Sequence, residues 1–238
     1  MLDKKIKQLK NDVFEANLKL YRLNLVLFTF GNVSGIDRDK NLVAIKPSGV
    51  GYDKLTSEDI VVVGLDGKTI YGNLNPSSDT KTHLQLYKFF PEIGGVAHTH
   101  SKYATIMAQA KIPVKCFGTT HADYFYGDVP CTEVISDESI RRDYEEETGN
   151  LIIQTFIKNK INYKDIKACL VASHGPFSWG KNPDDAVFAS EILEEVSMQN
   201  CFTRLLNPEI KSMKKTLLDK HYLRKHGKDA YYGQSPDS

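Results

Sequence analysis

The chain has 238 residues, of which 41% are hydrophobic and 26% charged, a composition typical of an ordinary globular protein. Its formal net charge is +1, and both signs are spread along the chain, which argues against the clustered basic face of a nucleic-acid-binding protein. No apolar run approaches the roughly 20 residues of a membrane span, and the first residues lack the apolar segment of a signal peptide. We therefore expect a cytoplasmic protein without nucleic-acid or membrane partners, whose cysteines are reduced.

The first part of the chain predicts one helix followed by short strands. Apolar residues at alternating spacings of three and four predict an amphipathic helix over residues 3–21. Short apolar runs with tight connections between them predict antiparallel strands at 25–30, 42–45, 60–63 and 70–71. A helix over 80–90 follows the polar loop 73–79; Ser78 or Asp79 caps it, and Pro91 prevents its continuation.

The second part predicts alternating strands and helices. A buried strand is expected at 94–100, and shorter ones at 113–116, 133–135 and 168–172. A polar loop is expected over 118–123. Helices are expected at 101–110, 137–147, 151–159, 182–205 and 211–224, with Gly149 and Asn150 separating the second from the third. We see no repeat or linker, so we predict one domain over 1–238, with a disordered tail at 235–238. Its fold class is α/β, a three-layer αβα sandwich with a central, largely antiparallel mixed sheet.

The histidines at strand ends are the first candidates for chemistry. Alternation along a strand places His98 and His100 on the same side, where they can hold a divalent metal or form a polar pair at a sheet edge. His174 follows the buried strand 168–172, and a purely structural role is its alternative. Three histidines at strand ends predict a catalytic metal site with open positions for water or substrate. Asp79 is either a fourth ligand or a plain helix cap.

Three loops combine small residues with hydroxyl or amide donors. They are Gly31 and Asn32, Ser48 and Gly49, and Ser77 and Ser78. Backbone N–H groups in such loops can approach an anion closely, and Lys46 adds a positive charge. Turn chemistry alone explains any one of these loops. Their occurrence together with a histidine cluster favours a phosphorylated substrate that a metal chelates.

Several motifs in order carry a resemblance to a known family. They are Gly31–Ser34, Lys46–Val50, Pro76–Thr80, His98–Ser101, Gly118–Tyr124, Ser173–Phe177 and Leu217–Gly227. On these motifs the sequence resembles the L-ribulose-5-phosphate 4-epimerase branch of the class II aldolase–adducin superfamily, from about Asn11 to Gln234. The resemblance implies a class II aldolase-like fold.

The resemblance also implies roles for individual residues. It implies one zinc ion per subunit, with Mn²⁺ or Co²⁺ as possible substitutes, held by Asp79, His98, His100 and His174. The three loops and Lys46 would bind the phosphate. Asp123 and Tyr232 would transfer protons; without the resemblance, they would be interpreted as a loop-capping residue and a surface aromatic. Aldolases of the superfamily generally carry glutamate in place of Asp79, which favours the epimerase branch.

The implied activity is conversion of L-ribulose 5-phosphate to D-xylulose 5-phosphate by cleavage and re-formation of the C3–C4 bond, with zinc as Lewis acid. Arabinose catabolism and ascorbate-type pentose catabolism both stay open. The resemblance further implies a homotetramer with sites at subunit interfaces, to which Tyr232 and His221 of a neighbour contribute. The alternatives are a class II sugar-phosphate aldolase and a binding protein of the adducin type. The intact set of metal ligands argues against the latter.

Overall fold

A single antiparallel sheet forms the centre of the structure, a computed structural model that describes residues 3–233. Its strands are β1 (Asn32–Asp37), β2 (Leu42–Ile45), β3 (Val61–Gly64), β4 (Thr69–Tyr71), β5 (Gly95–His98), β6 (Ala168–Leu170) and β7 (Pro176–Gly180). Their order is β4-β3-β2-β1-β5-β7-β6, and every neighbouring pair is antiparallel. An isolated bridge between Cys131 and Leu170 is parallel. The tail predicted at 235–238 lies outside the described residues.

Seven α-helices and a short 3₁₀ helix (Ser57–Asp59) accompany the sheet in the part of the chain that the structure describes. The α-helices are α1 (Lys4–Arg22), α2 (Thr80–Phe89), α3 (Lys102–Gln109), α4 (Thr119–Ala122), α5 (Asp137–Lys158), α6 (Pro183–Leu206) and α7 (Lys215–His226). Side-chain caps mark three of their starts. Asp3, Ser136 and Asn182 each accept a hydrogen bond from a backbone N–H in the first helical turn. Pro183, directly after Asn182, occupies the first helical position, which needs no N–H donor.

The helices cover both faces of the sheet. Val33 of β1 and Ala97 of β5 pack with Leu20 of α1 and Val187 of α6 on one face. The residues next to them along the strands point to the other face, where Val96 belongs to a core with residues of α2 and α5, such as Leu86, Tyr87 and Phe156. The predicted αβα layers are therefore confirmed. Within residues 3–233, no helix combines the length and the apolar character needed to cross a bilayer.

The strand predicted at 25–30 is wrong, because this apolar run is a loop. Asn24 and Phe28 have positive φ angles of 56° and 54°, which turn the chain, and Phe28 is 79% exposed. The first strand begins two residues after the run instead. There the Asn17 side chain of α1 accepts from the Val33 backbone N–H at 2.9 Å and donates to the Val33 carbonyl at 3.1 Å, which ties helix and strand together.

The segment 113–135 differs from its prediction in three places. The expected strand at 113–116 is only an isolated bridge between Val114 and Val129. The expected polar loop at 118–123 contains the one-turn helix α4, and 133–135 is not a strand. The last strand, β7, had no counterpart in the sequence prediction, which treated Pro176 only as part of the chain's exit from the preceding strand.

The interruption predicted at Gly149 and Asn150 is also wrong. The irregularity within α5 lies at Asp143, whose φ and ψ are −167° and 91°. Gly149 is helical and serves close packing instead, since a Cβ at this position would lie 2.7 Å from the Gln85 Cβ of α2. The glycine lets α5 approach α2, which brings the start of α5 towards the end of the central strands.

Candidate active site

Three histidines converge where the central strands end. His98 is the last residue of β5, and it pairs with Asn32 of β1 on one side and Phe177 of β7 on the other. His100 follows two residues later, and its Nε2 lies 3.1 Å from the Nε2 of His98. His174 comes from the β6–β7 turn. One ring nitrogen from each of the three imidazoles lies within 4.8 Å of the others.

The β6–β7 turn brings His174 to this position. Ser173 adopts a positive φ of 63°, and the Val171 backbone N–H donates to the Gly175 carbonyl at 2.9 Å. A Cβ at Gly175 would lie 2.7 Å from the Thr99 carbonyl oxygen. Only glycine therefore lets the turn lie this close to the segment that leaves β5.

The hydrogen bonding of His98 and the pKa values of His100 and His174 suit metal binding. His98 donates from Nδ1 to the Pro176 carbonyl at 3.0 Å, which leaves a lone pair on Nε2. Burial, assisted by the field of His98, lowers the pKa of His174 to about 3 and that of His100 to about 4. Both rings are neutral at pH 7, and neutral imidazoles are good zinc ligands. Three such nitrogens fit a catalytic zinc site, which keeps a position open for water or substrate.

Asp79 stands at the N-cap position of α2, but its carboxylate does not cap the helix backbone. Its Oδ2 accepts from the Asn32 amide at 2.7 Å. Burial opposes ionisation, but the fields of His98 and His83 and the Asn32 hydrogen bond together hold the pKa of Asp79 below its usual value. The carboxylate is thus an anion oriented by Asn32. It lies beside the histidines, although the close group of ligand atoms among the described residues contains the three imidazoles alone.

All the residues predicted for metal and phosphate binding line one cavity of about 360 Å³, which we call the histidine cleft. The predicted residues are Gly31, Asn32, Lys46, Ser48, Gly49, Ser77, Ser78, Asp79, His98, His100 and His174, and the other lining residues are Thr29, Phe30, Pro47, Tyr144 and Glu145. The structure therefore brings together three loops and three strand ends that are far apart in sequence.

Lys46 is the cationic side chain of the histidine cleft. It is 1% exposed, and its ammonium contacts the Pro47 carbonyl at 3.4 Å and the Tyr52 ring at 4.8 Å. No carboxylate in residues 3–233 forms an ion pair with it, and burial lowers its pKa to about 8. A buried ammonium without an anionic partner beside hydroxyl-rich loops is well suited to receive a phosphate.

Two residues of the histidine cleft were not predicted from the sequence. Tyr144 and Glu145 lie in the helix predicted at 137–147, for which no role in metal or phosphate binding was expected. In the structure the Tyr144 hydroxyl lies 3.1 Å from the Nδ1 of His174, and the Glu145 carbonyl accepts from the Thr82 hydroxyl at 2.6 Å. An ion pair between Lys81 and Asp143 also links α2 to α5. No local sequence signal marks these two residues, since their position depends on the docking of α5 against α2.

The two residues predicted to transfer protons do not line the histidine cleft. Asp123 follows α4 and accepts from the Arg224 guanidinium at 2.9 Å and from the His221 imidazole at 3.0 Å, with the Lys225 ammonium at 3.3 Å. Tyr232 lies over Arg224 and Lys225 at 4.8 Å and 4.2 Å. We call these five residues the Asp123 cluster. Burial opposes ionisation of Asp123, but its hydrogen bonds from Arg224 and His221 outweigh this and lower its pKa.

Comparison with known proteins identifies the family. Residues 11–201 match the family described as Class II Aldolase and Adducin N-terminal domain. The chain belongs to the class II aldolase and adducin family. Within this family it is 48% identical over 229 residues to L-ribulose-5-phosphate 4-epimerase UlaF of Salmonella paratyphi B, covering 96% of this chain and 100% of the relative. UlaF of Salmonella choleraesuis gives the same values. The predicted resemblance to the epimerase branch is confirmed.

Solved structures of this family share the fold. L-fuculose 1-phosphate aldolase superposes with a TM-score of 0.78 at 23% identity, over 95% of this chain and 98% of that chain. An aldolase II superfamily protein from Pseudomonas syringae gives a TM-score of 0.76 at 13% identity, over 99% of this chain and 89% of that chain. The predicted class II aldolase-like fold is therefore confirmed.

Proposed function

We propose that the chain is an isomerase that converts L-ribulose 5-phosphate to D-xylulose 5-phosphate by epimerisation at C4. The observation that carries the proposal is the gathering of three histidines, Asp79 and the phosphate-type loops in the histidine cleft. The names of the relatives at 48% identity agree with it. Both an arabinose pathway and an ascorbate-type pathway supply this substrate, and the proposal covers either.

The donor set of the histidine cleft fits a divalent metal. His98, His100 and His174 would hold zinc with Asp79, and Mn²⁺ or Co²⁺ suit the same nitrogen and carboxylate ligands. When bound, such an ion supplies Lewis acidity towards the ketone and its adjacent hydroxyl. The chain's own contribution is to keep His100 and His174 neutral by burial and to orient the carboxylate through Asn32.

The phosphate end of the substrate would be held by Lys46 and by the loops at Ser48 and Ser77. The loop residues offer hydroxyl groups and backbone N–H groups, and the buried ammonium offers a charge that nothing else in the described chain neutralises. Retention of the phosphate in the cleft decides between epimerisation and aldol cleavage. If the fragment that carries the phosphate left the cleft after bond cleavage, the enzyme would be an aldolase.

The hydrogen on C4 is not acidic, so inversion at C4 cannot proceed by removal of this proton. The C3–C4 bond must break instead. A base takes the proton of the C4 hydroxyl, the C3–C4 bond breaks, and its electron pair passes to the C3 fragment as an enediolate. The aldehyde then turns its other face to C3, the bond re-forms, and an acid returns the proton to the C4 oxygen. Asp123 and Tyr232 are the proposed acid and base on the two faces of the aldehyde.

The position of the Asp123 cluster favours a site shared between subunits. Within one chain, Asp123 and Tyr232 lie together around Arg224 and outside the histidine cleft. We therefore propose a homotetramer in which the cluster of one subunit faces the cleft of its neighbour. Large apolar side chains at the surface, such as Phe28 at 79% and Leu206 at 88% exposure, support such an association.

The proposal is tested by ¹³C NMR of the purified chain with L-ribulose 5-phosphate, before chelation, after chelation and after zinc is restored. We expect zinc-dependent formation of D-xylulose 5-phosphate without accumulation of glycolaldehyde phosphate. Accumulating aldehyde would instead identify a class II sugar-phosphate aldolase. A chain that binds no metal and catalyses neither reaction would refute both and favour a binding protein of the adducin type.

A further inference from the structure

A trio of polar side chains is buried beneath the histidine cleft, and none of the roles proposed above uses it. Ser34 of β1 and His83 and Tyr87 of α2 are each fully buried. The Ser34 Oγ lies 2.7 Å from the His83 Nδ1 and 2.8 Å from the Tyr87 hydroxyl oxygen. Apolar core residues such as Val96 and Phe177 lie on the same face of the sheet, and the Arg38 guanidinium lies 5.5 Å from the Tyr87 ring centroid. Polar groups buried in a core without water need a reason, since apolar residues would fill the same space more easily.

The hydrogens of the trio can be placed by counting donors and acceptors. If Tyr87 donates to Ser34 and Ser34 donates to the Nδ1 of His83, each hydroxyl hydrogen has an acceptor, and the imidazole hydrogen lies on Nε2. The reverse order of donors leaves two groups without a partner in residues 3–233, the Tyr87 hydrogen and the Nε2 lone pair, whereas the first order leaves only the Nε2 hydrogen. The first arrangement is therefore favoured.

The imidazole of the trio borders the metal ligands. His83 lies one helical turn after Asp79, and its backbone N–H donates to the Asp79 carbonyl at 3.1 Å. Its ring meets the edge of Phe177 at 5.8 Å, and Phe177 stacks on His98 at 4.2 Å. The Nε2 of His83 is buried and has no hydrogen-bond partner in residues 3–233. The Asp79 carboxylate is the anion near this ring. Its negative charge favours the tautomer of His83 with a hydrogen on Nε2 over the tautomer with a lone pair there.

We propose that His83 is a positioning residue for the metal site. Two hydrogen bonds, from Tyr87 to Ser34 and from Ser34 to the Nδ1 of His83, hold its imidazole in the Nε2–H form. The field of the His83 ring stabilises the Asp79 carboxylate from the protein interior without a hydrogen bond between them, while Asn32 binds the same carboxylate from the β1 side. Outer partners of this kind orient a ligand and raise its affinity for the metal. The inference rests on the proposed function only in that Asp79 is taken as a metal ligand.

The tautomer can be observed without substrate or metal. In ¹⁵N-histidine-labelled, metal-free protein, a long-range ¹H–¹⁵N spectrum at pH 7 should show His83 with hydrogen on Nε2 and a bare Nδ1. The His83→Gln variant assigns the signal, and if that variant does not fold, Tyr87→Phe assigns it by perturbing its shift. A signal with hydrogen on Nδ1 would overturn the proposal.

The effect on the metal is tested with zinc alone, by competition with a chromogenic chelator. We expect Ser34→Ala to weaken zinc binding at least about tenfold and Tyr87→Phe to weaken it by less, because only the former removes the direct partner of His83. Ser197→Ala is the matched control, since the side chain of this buried serine of α6 has no hydrogen-bond partner among the described residues. Equal zinc affinity of the Ser34→Ala, Ser197→Ala and unaltered chains would show that the trio only fills space.

Kinetics separate positioning from general loss of structure. In Ser34→Ala saturated with zinc, we expect kcat to fall while KM for L-ribulose 5-phosphate stays near that of the unaltered chain, because the phosphate loops are untouched. Equal losses in Ser197→Ala would contradict the inference. If the unaltered chain does not epimerise this substrate, the proposed function fails, but the tautomer and the zinc affinity still decide the role of His83.

Discussion

Lys46 shows how one buried residue connects the fold to substrate recognition. The preceding strand, β2, ends at Ile45, so the lysine leaves the sheet directly into the histidine cleft. Its ammonium is almost completely buried, and its contacts are a carbonyl oxygen and the Tyr52 ring. Such contacts replace hydration only in part, which is why the pKa of this lysine falls to about 8. The charge of Lys46 is therefore only partly stabilised by the chain, and an anionic ligand would stabilise it further.

This pKa predicts a pH dependence of substrate binding. A phosphate dianion favours the charged form of Lys46, so binding takes up a proton when the free residue is neutral. Because the fraction of charged lysine falls above its pKa of about 8, we expect KM to rise about tenfold for each further pH unit. Steady-state kinetics between pH 7 and 9.5 measure it. Lys46→Gln should show a raised KM without this slope, and a flat profile in the unaltered chain would contradict the prediction.

The same residue has an opposite effect on stability. Its pKa in the unfolded chain is near 10.5 and in the folded chain about 8, so between these values the unfolded chain binds more protons. The contribution of Lys46 to the free energy of unfolding therefore increases as the pH rises through this window. As the pH rises and Lys46 loses its proton, substrate binding weakens while the free energy of unfolding increases. Opposite responses are expected for a buried charge that serves to bind a ligand.

The residues of the histidine cleft were predictable because their types are distinctive at short range. A His-Thr-His segment after an apolar run, or paired serines before a helix, indicates its chemistry within a few residues. Tyr144 and Glu145 have no such signal, since they reach the cleft only because α5 docks on α2. That docking depends on Gly149, which looked like a helix break and is a packing contact.

Helix α2 carries Asp79 at its start, and Arg38 fixes its other end. The guanidinium of Arg38, directly after β1, donates to the carbonyls of Tyr87 and Phe90 at 2.8 Å and 3.1 Å and to that of Ile93 at 2.8 Å. Two of these carbonyls, those of Tyr87 and Phe90, lie in the last helical turn and its cap, where the regular helical hydrogen bonds end; the Phe90 carbonyl also accepts from the Ile93 backbone N–H at 3.2 Å. The arginine thus joins the helix that carries the carboxylate to the strand that carries Asn32.

Removal of this contact should weaken the whole chain. We expect Arg38→Met to lower the free energy of unfolding by about 2 kcal/mol, because charge-assisted hydrogen bonds to three carbonyls are lost. Urea unfolding at fixed protein concentration measures the change. Arg22→Met is the control. Arg22 is mostly exposed, and within residues 3–233 its one ion pair is with Glu15 at 3.9 Å, so its loss should change stability by less than about 0.5 kcal/mol. Equal unfolding midpoints of the two variants would contradict this role.

The errors at 25–30 and at β1 have one physical cause. The run 25–30 is as apolar as a strand, but Asn24 and Phe28 adopt positive φ angles and leave most of it at the surface. The true strand β1 contains Asn, Ser, Gly and Asp, which are poor strand formers, and it is stabilised by its two neighbours, β2 and β5. Tertiary pairing thus overrides local propensity, and only strands with strong apolar patterns, such as β2 and β3, were predictable.

At the scale of the whole molecule, the proposed chemistry is divided between two places. The histidine cleft provides the metal ligands and phosphate loops, and the Asp123 cluster provides the proposed acid and base. The cations Arg224 and Lys225 and the His221 imidazole surround Asp123, so within an isolated subunit its carboxylate is committed to these partners and is a weak base. If the histidine cleft of a neighbouring subunit brought a substrate hydroxyl to this carboxylate, Asp123 could exchange a proton with it.

A mixture of two inactive variants tests this division. His174→Asn disables the histidine cleft and leaves the Asp123 cluster intact, whereas Tyr232→Phe does the reverse. If sites form between neighbours, subunits exchanged at equal amounts should restore about a quarter of the unaltered activity, because one neighbouring pair in four combines two intact halves. Epimerase assays before and after exchange measure it, and a double variant mixed with Tyr232→Phe should stay inactive. No recovery in a fully exchanged tetramer would place both halves of the site within one chain, and Asp123 would then have to move into the cleft of its own subunit.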